Sequence, residues 1–342
     1  MAEGGWEETL RPLLAEAGID AGGPMVIEPL TGGVSSDIVR VGLTDGRVFC
    51  AKRALAKLKV STDWQAPLER NRYEVAWLRL AGRIVPGVAP RVIGEDQAHG
   101  IALLEYLPPE DYSLWKAELL AGRADPATPL AVADALGRIH AATFGDAEVA
   151  AAFATDRLFD ALRLDPYLRT LAARQPGLSA PILACLAETA ATRVALVHGD
   201  VSPKNILVAN ADGHPVLLDA ECAWFGDPAF DAAFCLNHLL LKAVHVPAIR
   251  AELLGQAAGF LAAWLQHFPA GLRQDTERRT ATLLPCLMLA RVDGKSPVEY
   301  LVAGEQQLVR DIAMPLVADP VPRVDEVLAR MQAHLLSVGE IR

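Results

Sequence analysis

The stretch "LVHGDVSPKNILV", Leu196 to Val208, constrains the fold more than any other: two β-rich apolar runs enclose an acidic residue, a proline, a lysine and an asparagine. Asp, Ser, Pro and Asn all favour turns for backbone reasons, so the loop alone is satisfied by an ordinary polar turn between strands. The residues downstream add a second condition. "NADGHP" separates strands expected near Ile206 to Val208 and Val216 to Leu218, and "VLLDAE" closes the second of them, with Asp219 fourteen residues after Asn205. A hairpin returns its end to its beginning, so Asp219 is expected beside Asp200 and Asn205. Two carboxylates and an amide oxygen then converge. Such a hard-oxygen set suits Mg²⁺ bound together with nucleotide phosphates, and by itself it suits a calcium site or a glycosidase-like carboxylate pair equally.

Residues upstream bear on that choice. "LTGGVSSDIVRV", Leu30 to Val41, lies between two expected strands; Gly32 and Gly33 let backbone approach an anion closely, and Ser35 and Ser36 add donors. In "VFCAKRAL", Lys52 is a basic residue inside an otherwise apolar strand, and a buried ammonium is costly unless paired. A helix expected from about Leu68 to Leu80 offers Glu74 as its partner, with Glu69 as the nearest competitor. A glycine-rich turn, a strand lysine, a helix glutamate, an Asp-x₄-Asn loop and an Asp after a hairpin follow one another in the chain order of a kinase site.

On these residues the sequence resembles the aminoglycoside phosphotransferase and choline kinase superfamily, relatives of the protein kinases. The resemblance runs from "LTGGVSSD" through "AKRAL", "EYLPP" and "LGRIHA" to "LVHGDVSPKNILV" and "LLDAECAWFGDPAFDAA", Leu30 to Ala233. Its specific part is "HGDxxxxN" together with "LDxExxxxGDPxxD"; the glycine-rich loop alone is weak. The resemblance implies a two-lobed kinase-like fold with ATP or GTP between the lobes and Mg²⁺ on the phosphates. It implies Asp200 as base or orienting carboxylate for a substrate hydroxyl, and Asn205 and Asp219 as Mg²⁺ ligands. Lys52 would hold the α and β phosphates, Glu74 would orient Lys52, and the backbone of Glu105, Tyr106 and Leu107 would meet the adenine edge. The lysine that protein kinases carry two places after the catalytic Asp is here Ser202, so Ser202 or its backbone would face the γ-phosphate, with Lys204 displaced toward the surface. "DAE" stands where protein kinases have "DFG", and no long segment with an "APE" stop precedes Asp231, which disfavours a protein substrate.

The rest of the chain fits an α+β, two-lobed organisation, with a nucleotide-binding lobe over 1–106 and a catalytic and acceptor-binding lobe over 107–342. After an opening helix, Glu7 to Ala17, Val26 to Leu55 reads as three antiparallel strands with an Asp45-Gly46 hairpin turn. Arg91 to Gly94 and Ile101 to Tyr106 read as a further hairpin, and "EYLPPEDY" as the lobe boundary. From Pro129 the pattern turns helical, with Leu130, Ala133, Leu136 and Ile139 or His140 on one face. Helices are expected from Asp156 to Ala191, from Pro228, Ile249, Thr276 and Pro297, and over Val324 to Leu336. The net charge of −10 disfavours nucleic acid and anionic membrane as partners. The second lobe carries −8 of it, which suits a cationic acceptor as well as a merely solvated surface. Five widely spaced cysteines without zinc-ligand spacing read as buried thiols, and the acidic N-terminus and short apolar runs point to a cytoplasmic protein.

Other polar residues have structural explanations. Ser296, Pro297 and Glu299 in "DGKSPVEYL" fit a helix capping box, not a phosphate loop, since Leu289 occupies the position that needs glycine. Asp227 reads as a helix cap, Asp231 as a support for the catalytic-loop backbone, His198 as a buried spacer, and Trp224 as packing. Trp224 and Phe225 also lie close enough to Glu221 to line a pocket, and the sequence leaves open whether Glu221, Trp224 or Asp293 meets the acceptor. The expected function is Mg²⁺-dependent transfer of phosphate from ATP to a hydroxyl of a small molecule, aminoglycoside-like or another amino-alcohol. The alternative is a silent nucleotide-binding pseudokinase serving as an interaction module.

Overall fold

The computed structural model describes residues 4–30, 36–55 and 69–339. The alternating stretch Val26 to Leu55 forms β1 (Val26–Pro29), β2 (Ser36–Gly42) and β3 (Val48–Ala54), and β4 (Val92–Asp96) and β5 (Ile101–Glu105) complete an antiparallel sheet of order β1-β2-β3-β5-β4. Period-two alternation divides each strand between two environments. Val39 and Val41, Phe49 and Ala51, and Ile101 and Leu103 bury against Trp6, Leu10, Leu13 and Leu14 of α1 (Gly4–Glu16). The opposite face carries Cys50, Lys52, Ala102 and Leu104, and Ala102 and Leu104 join the apolar cluster of α2 (Arg70–Ile84), built on Val75, Trp77, Leu78 and Ala81. Pairing of Lys52 with Ile38 on one side and Ala102 on the other fixes which face the ammonium takes.

The rest is mostly helical: α3 (Trp115–Leu120), α4 (Ala127–Thr143), α5 (Ala147–Ala152), α6 (Asp156–Phe159), α7 (Thr170–Arg174), α8 (Ser179–Ala191), α9 (Ala229–His245), α10 (Arg250–Leu265), α11 (Ala270–Asp293), α12 (Ala303–Ala318) and α13 (Val324–Gly339). A π-helical segment, Asp160–Arg169, joins α6 to α7 and contains Pro166, which has no N–H to give to a helical ladder. Two small sheets sit among the helices: β6 (Tyr112–Leu114), β8 (Ile206–Ala209) and β9 (Pro215–Leu217) form one, and β7 (Ala195–Val197) pairs with β10 (Trp224–Gly226) in the other. The hairpin β8–β9, in register at Ile206 and Leu217, is the one expected around "NADGHP". Every residue of α9 from Ala229 to Val244 is buried, so this helix is the axis of the lobe.

Three details differ from the sequence reading. Leu130 is 44% exposed, and the buried face of α4 instead runs through Val132, Ala133, Leu136, Ile139 and His140. The helix expected from Thr276 begins earlier, at Ala270. No helix starts at Pro297. Arg291, buried and without a carboxylate partner among the described residues, takes both the carbonyl and the hydroxyl of Ser296, the latter at 3.0 Å, while Glu299 pairs with Lys116. The next helix is α12, where the Glu305 carboxylate accepts the Val302 N–H at 2.9 Å. The five cysteines are free thiols, four of them buried. Among the described residues no single helix is long and apolar enough to cross a membrane.

Candidate active site

A cavity of about 380 Å³ opens between the five-stranded sheet and the β8–β9 hairpin. Ile38 and Leu104 line it from the sheet and Leu207 and Leu218 from the hairpin, joined by Glu105, Tyr106 and Leu107 of the segment after β5. Its polar lining includes Lys52, Asn205 and Asp219. Two apolar walls with a few converging polar groups are what a heterocyclic ligand with a charged tail needs. Gly32, Gly33 and Ser35 lie outside the described residues; Ser36, the first residue of β2, lines the cavity.

Lys52 is buried within reach of three carboxylates: Glu74 at 2.8 Å, Asp219 at 2.5 Å and Glu221 at 3.0 Å. Glu69, at the exposed start of α2, is not its partner. Glu221 also accepts hydrogen bonds from the Ser36 hydroxyl at 2.8 Å and from Arg70 Nε at 2.9 Å. Glu221 and Arg70 were not expected in this cluster. Arg70 stands one helical turn before Glu74 and Glu221 two residues after Asp219, so same-face spacing was the available signal. Burial works against the Lys52 charge, but Asp219, Glu221 and Glu74 outweigh it and hold its pKa well above the usual value. Burial raises the Glu74 carboxyl against the pull of Lys52; it also opposes ionisation of Glu221, whose carboxyl Lys52 and Arg70 nevertheless hold low. Oxygens of Glu74, Asp219 and Glu221 lie within 4.8 Å of one another, a spacing a cation could bridge.

Asp219 is the one non-glycine at positive φ among the described residues, at 67°. Such a conformation costs of order 1–3 kcal/mol and persists where surrounding structure imposes it. Leu217 is fixed by donating to the Val88 carbonyl at 2.7 Å and Leu218 by donating to the Asn205 carbonyl at 2.8 Å, so the chain turns sharply at the next residue and leaves the Asp219 carboxylate in the cavity wall.

The loop after β7 is held from below by Asp231 of α9, whose carboxylate accepts the N–H of His198 at 2.7 Å and of Gly199 at 2.8 Å. His140 reaches the same carboxylate at 3.2 Å and takes the Trp264 indole N–H on its other nitrogen at 3.0 Å, which assigns its proton to the Asp231 side. Gly199 has φ +80°, and a Cβ there would lie 2.7 Å from the Cys222 carbonyl oxygen. His198 Nδ1 accepts the Asp200 N–H at 3.1 Å, and burial pushes this imidazole below its usual range, so it is a neutral spacer.

Asp200 is buried between two cations, Arg163 at 3.0 Å and Lys204 at 3.1 Å. Burial alone would raise its carboxyl, but Lys204 and Arg163 hold it far below the usual range. Arg163 belongs to the π-helical segment, its Nε donating to the Gly199 carbonyl, and no sequence pattern pointed to it. Ser202 is fully buried with its hydroxyl 3.4 Å from Asp200, and it does not line the cavity. Lys204, read from sequence as displaced toward the surface, is 47% exposed as expected, and it also lines the cavity. Asn205 donates to the Asp200 carbonyl at 3.1 Å through its amide nitrogen and lines the cavity. Trp224 stacks on Phe159 and donates to Asp156 at 2.8 Å, and Asp293 is bound by Arg310 and Gln175 at 2.8 Å each, so both are occupied in packing the lobe.

The sequence pattern of the phosphotransferase enzyme family matches residues 26–260, from β1 into α10, and so takes in every part of this site. The chain belongs to that family. Methylthioribose kinase of Erwinia tasmaniensis is 26% identical over 225 residues, 58% of this chain and 55% of the relative. Its counterpart in Pectobacterium atrosepticum is 24% identical over 226 residues, 58% of this chain and 56% of the relative; the chain spans about half the length of the curated relatives it matches. Among solved structures, Plasmodium vivax ethanolamine kinase superposes with a TM-score of 0.54 at 12% identity, covering 92% of this chain and 88% of its own. At that identity the likeness is one of fold, the two-lobed kinase-like α+β architecture of the phosphotransferase family.

Proposed function

We propose that the protein transfers the γ-phosphoryl group of a Mg²⁺-bound nucleotide, ATP or GTP, to a hydroxyl of a small molecule. The observation that carries this reading is the juxtaposition of Lys52, ion-paired to Glu74 and touching Asp219, with Asn205 on the wall of one cavity, above a loop that fixes Asp200. Phosphoryl transfer is mostly positioning and charge neutralisation, and each of these groups supplies one or the other.

The donor set fits a hard divalent cation. The Asn205 amide nitrogen is engaged by the Asp200 carbonyl, which leaves its oxygen as the ligand atom, and Asp219 is the most exposed of the three carboxylates around Lys52, at 31%. Asn205 and Asp219 would hold Mg²⁺, and the bound ion would neutralise phosphate oxygens. Lys52, oriented by Glu74, would hold the α and β phosphates, and the backbone of Glu105 to Leu107 would meet the base. Asp200, kept ionised by Arg163 and Lys204, is a weak proton acceptor; its part is to align the acceptor hydroxyl for in-line attack. Residues 220–228 alone join Asp219 to α9, too short a segment to present a protein substrate.

Purified protein with Mg²⁺, ATP or GTP and a panel of small alcohols should form phosphorylated product. Asp200→Asn should retain nucleotide binding while transfer falls about 10²-fold or more. Nucleotide bound without transfer to any alcohol would favour a silent interaction module instead.

A further inference from the structure

The acceptor was expected to be an amino-alcohol, which calls for carboxylates on the far side of Asp200. The residues found there carry the opposite charge. Arg163, which pairs with Asp200, lies with its guanidinium 5.7 Å from the Phe234 ring centre and 5.9 Å from that of Tyr167. Phe234 meets His238 at 5.3 Å, and one turn further along α9 lies Lys242. Arg291 approaches the Tyr167 ring at 5.7 Å and donates to the Tyr167 hydroxyl at 3.1 Å. Three buried cations thus follow one another through the lobe, and only the first has a carboxylate partner among the described residues. Lys242 is 1% exposed; its ammonium has the His238 carbonyl at 3.4 Å and the Tyr300 ring at 5.2 Å, while the carboxylate of Glu299 is taken by Lys116.

Unmet hydrogen-bonding capacity collects in the same place. Among the described residues, both amide atoms of Asn237, the His238 Nε2, the Arg291 Nε and the Tyr300 hydroxyl have no hydrogen-bond partner. A buried polar group left unpaired is costly, so unpaired atoms on α9, on α11 and in the segment between α11 and α12 call for an occupant. Several of the orphan atoms are donors: Tyr300 O–H, Arg291 N–H, the Asn237 amide and one His238 tautomer. Donors and uncompensated cations together select oxyanions.

Resting on the phosphotransferase reading, we infer that the acceptor carries an oxyanion, a carboxylate or a phosphate ester, received by Lys242 and Arg291 with donors from Asn237, His238 and Tyr300. The hydroxyl to be phosphorylated then lies toward Arg163 and Asp200. Burial, with Lys116 and Arg291 nearby, pushes the Lys242 ammonium down to about 7, and an arriving anion would restore its charge.

The test offers, with Mg²⁺ and ATP, short primary alcohols of graded length that differ only in their far end: carboxylate, phosphate monoester, carboxamide or ammonium. The carboxylate or the phosphate series should be phosphorylated with kcat/KM at least about tenfold above the ammonium series, and whichever of the two leads identifies the oxyanion. Lys242→Met, close in length and apolar, should raise KM for the anionic series about tenfold more than for the carboxamides, flattening the preference, while Lys242→Arg should retain it. A preference for ammonium or carboxamide ends, an equal effect of Lys242→Met on all four series, or no turnover of the anionic series while another series is phosphorylated would overturn the inference and leave the phosphotransferase reading standing. Failure to bind Mg²⁺-nucleotide at all, or binding without transfer to any of the four series, would overturn that reading, and the inference with it.

Discussion

Lys52 faces three carboxylates with one positive charge, and Arg70, bound to Glu221, supplies the second cation of the cluster. Removing the ammonium would leave Glu74, Asp219 and Glu221 repelling one another in a buried setting. Lys52→Met should therefore lower the free energy of unfolding by about 3–5 kcal/mol in denaturant titration, the range for breaking a buried ion pair. Glu74→Gln added to it should recover part of the loss; a double variant as unstable as the single one would contradict this account of the cluster. At this scale the sequence was informative, because a charge inside an apolar strand has few solutions and period-two alternation states which face it takes. The partner Glu74 was legible for the same reason. Glu221 was noted only as a pocket residue, because in "DAE" nothing local shows that Arg70 and Ser36 will approach it.

The loop between β7 and β8 has little regular hydrogen bonding of its own and depends on α9 for its shape. Asp231 fixes the His198 and Gly199 amides, and the chain Trp264, His140, Asp231 connects α10 and α4 to the same point. Asp231→Ala would leave two backbone N–H groups and an imidazole without their acceptor, a loss of about 2–4 kcal/mol. Amide exchange at Gly199 should accelerate more than exchange in the sheet of the first lobe, and equal acceleration everywhere would remove Asp231 from this supporting part. Gly199→Ala meets both a left-handed backbone and the Cys222 carbonyl at 2.7 Å, so it should cut transfer even where the protein stays folded. The hairpin that carries Asn205 to Asp219 was legible from its turn residues. The helix expected from Pro297 was not formed, because its capping serine is drawn to Arg291 by a tertiary demand that a local motif does not contain. Arg163 was invisible for a related reason: a π-helical turn shifts side chains off the spacing by which a helix face is read from sequence.

Across the whole molecule, one apolar cluster lies between α1, the segment after it and the outer face of the sheet, while a larger one runs from α2 through β5 into the helical lobe. The cavity sits where the sheet meets the β8–β9 hairpin. The two-lobed architecture could be read from the change of periodicity after the first sheet, whereas the polar interior of α9 could not, since His238 and Lys242 look like an ordinary amphipathic pattern until every side of the helix proves buried. That burial has a consequence for pH. Lys242 falls from 10.5 to about 7 on folding, so between those values the unfolded chain holds a proton the folded chain lacks, and this residue makes stability rise as pH rises through that window. The stability advantage of Lys242→Met over the parent protein should accordingly shrink from pH 7 toward pH 10, and a difference independent of pH would contradict the burial of an unpaired ammonium. The central claim is that Lys52, Asn205 and Asp219 hold one Mg²⁺-nucleotide in the cavity between the lobes. Calorimetric titration with a non-hydrolysable ATP analogue tests it most directly: the account expects one site per chain that requires Mg²⁺, survives Asp200→Asn and disappears in Asp219→Ala, and it is contradicted by no binding to the parent protein or by binding that Asp219→Ala leaves unchanged.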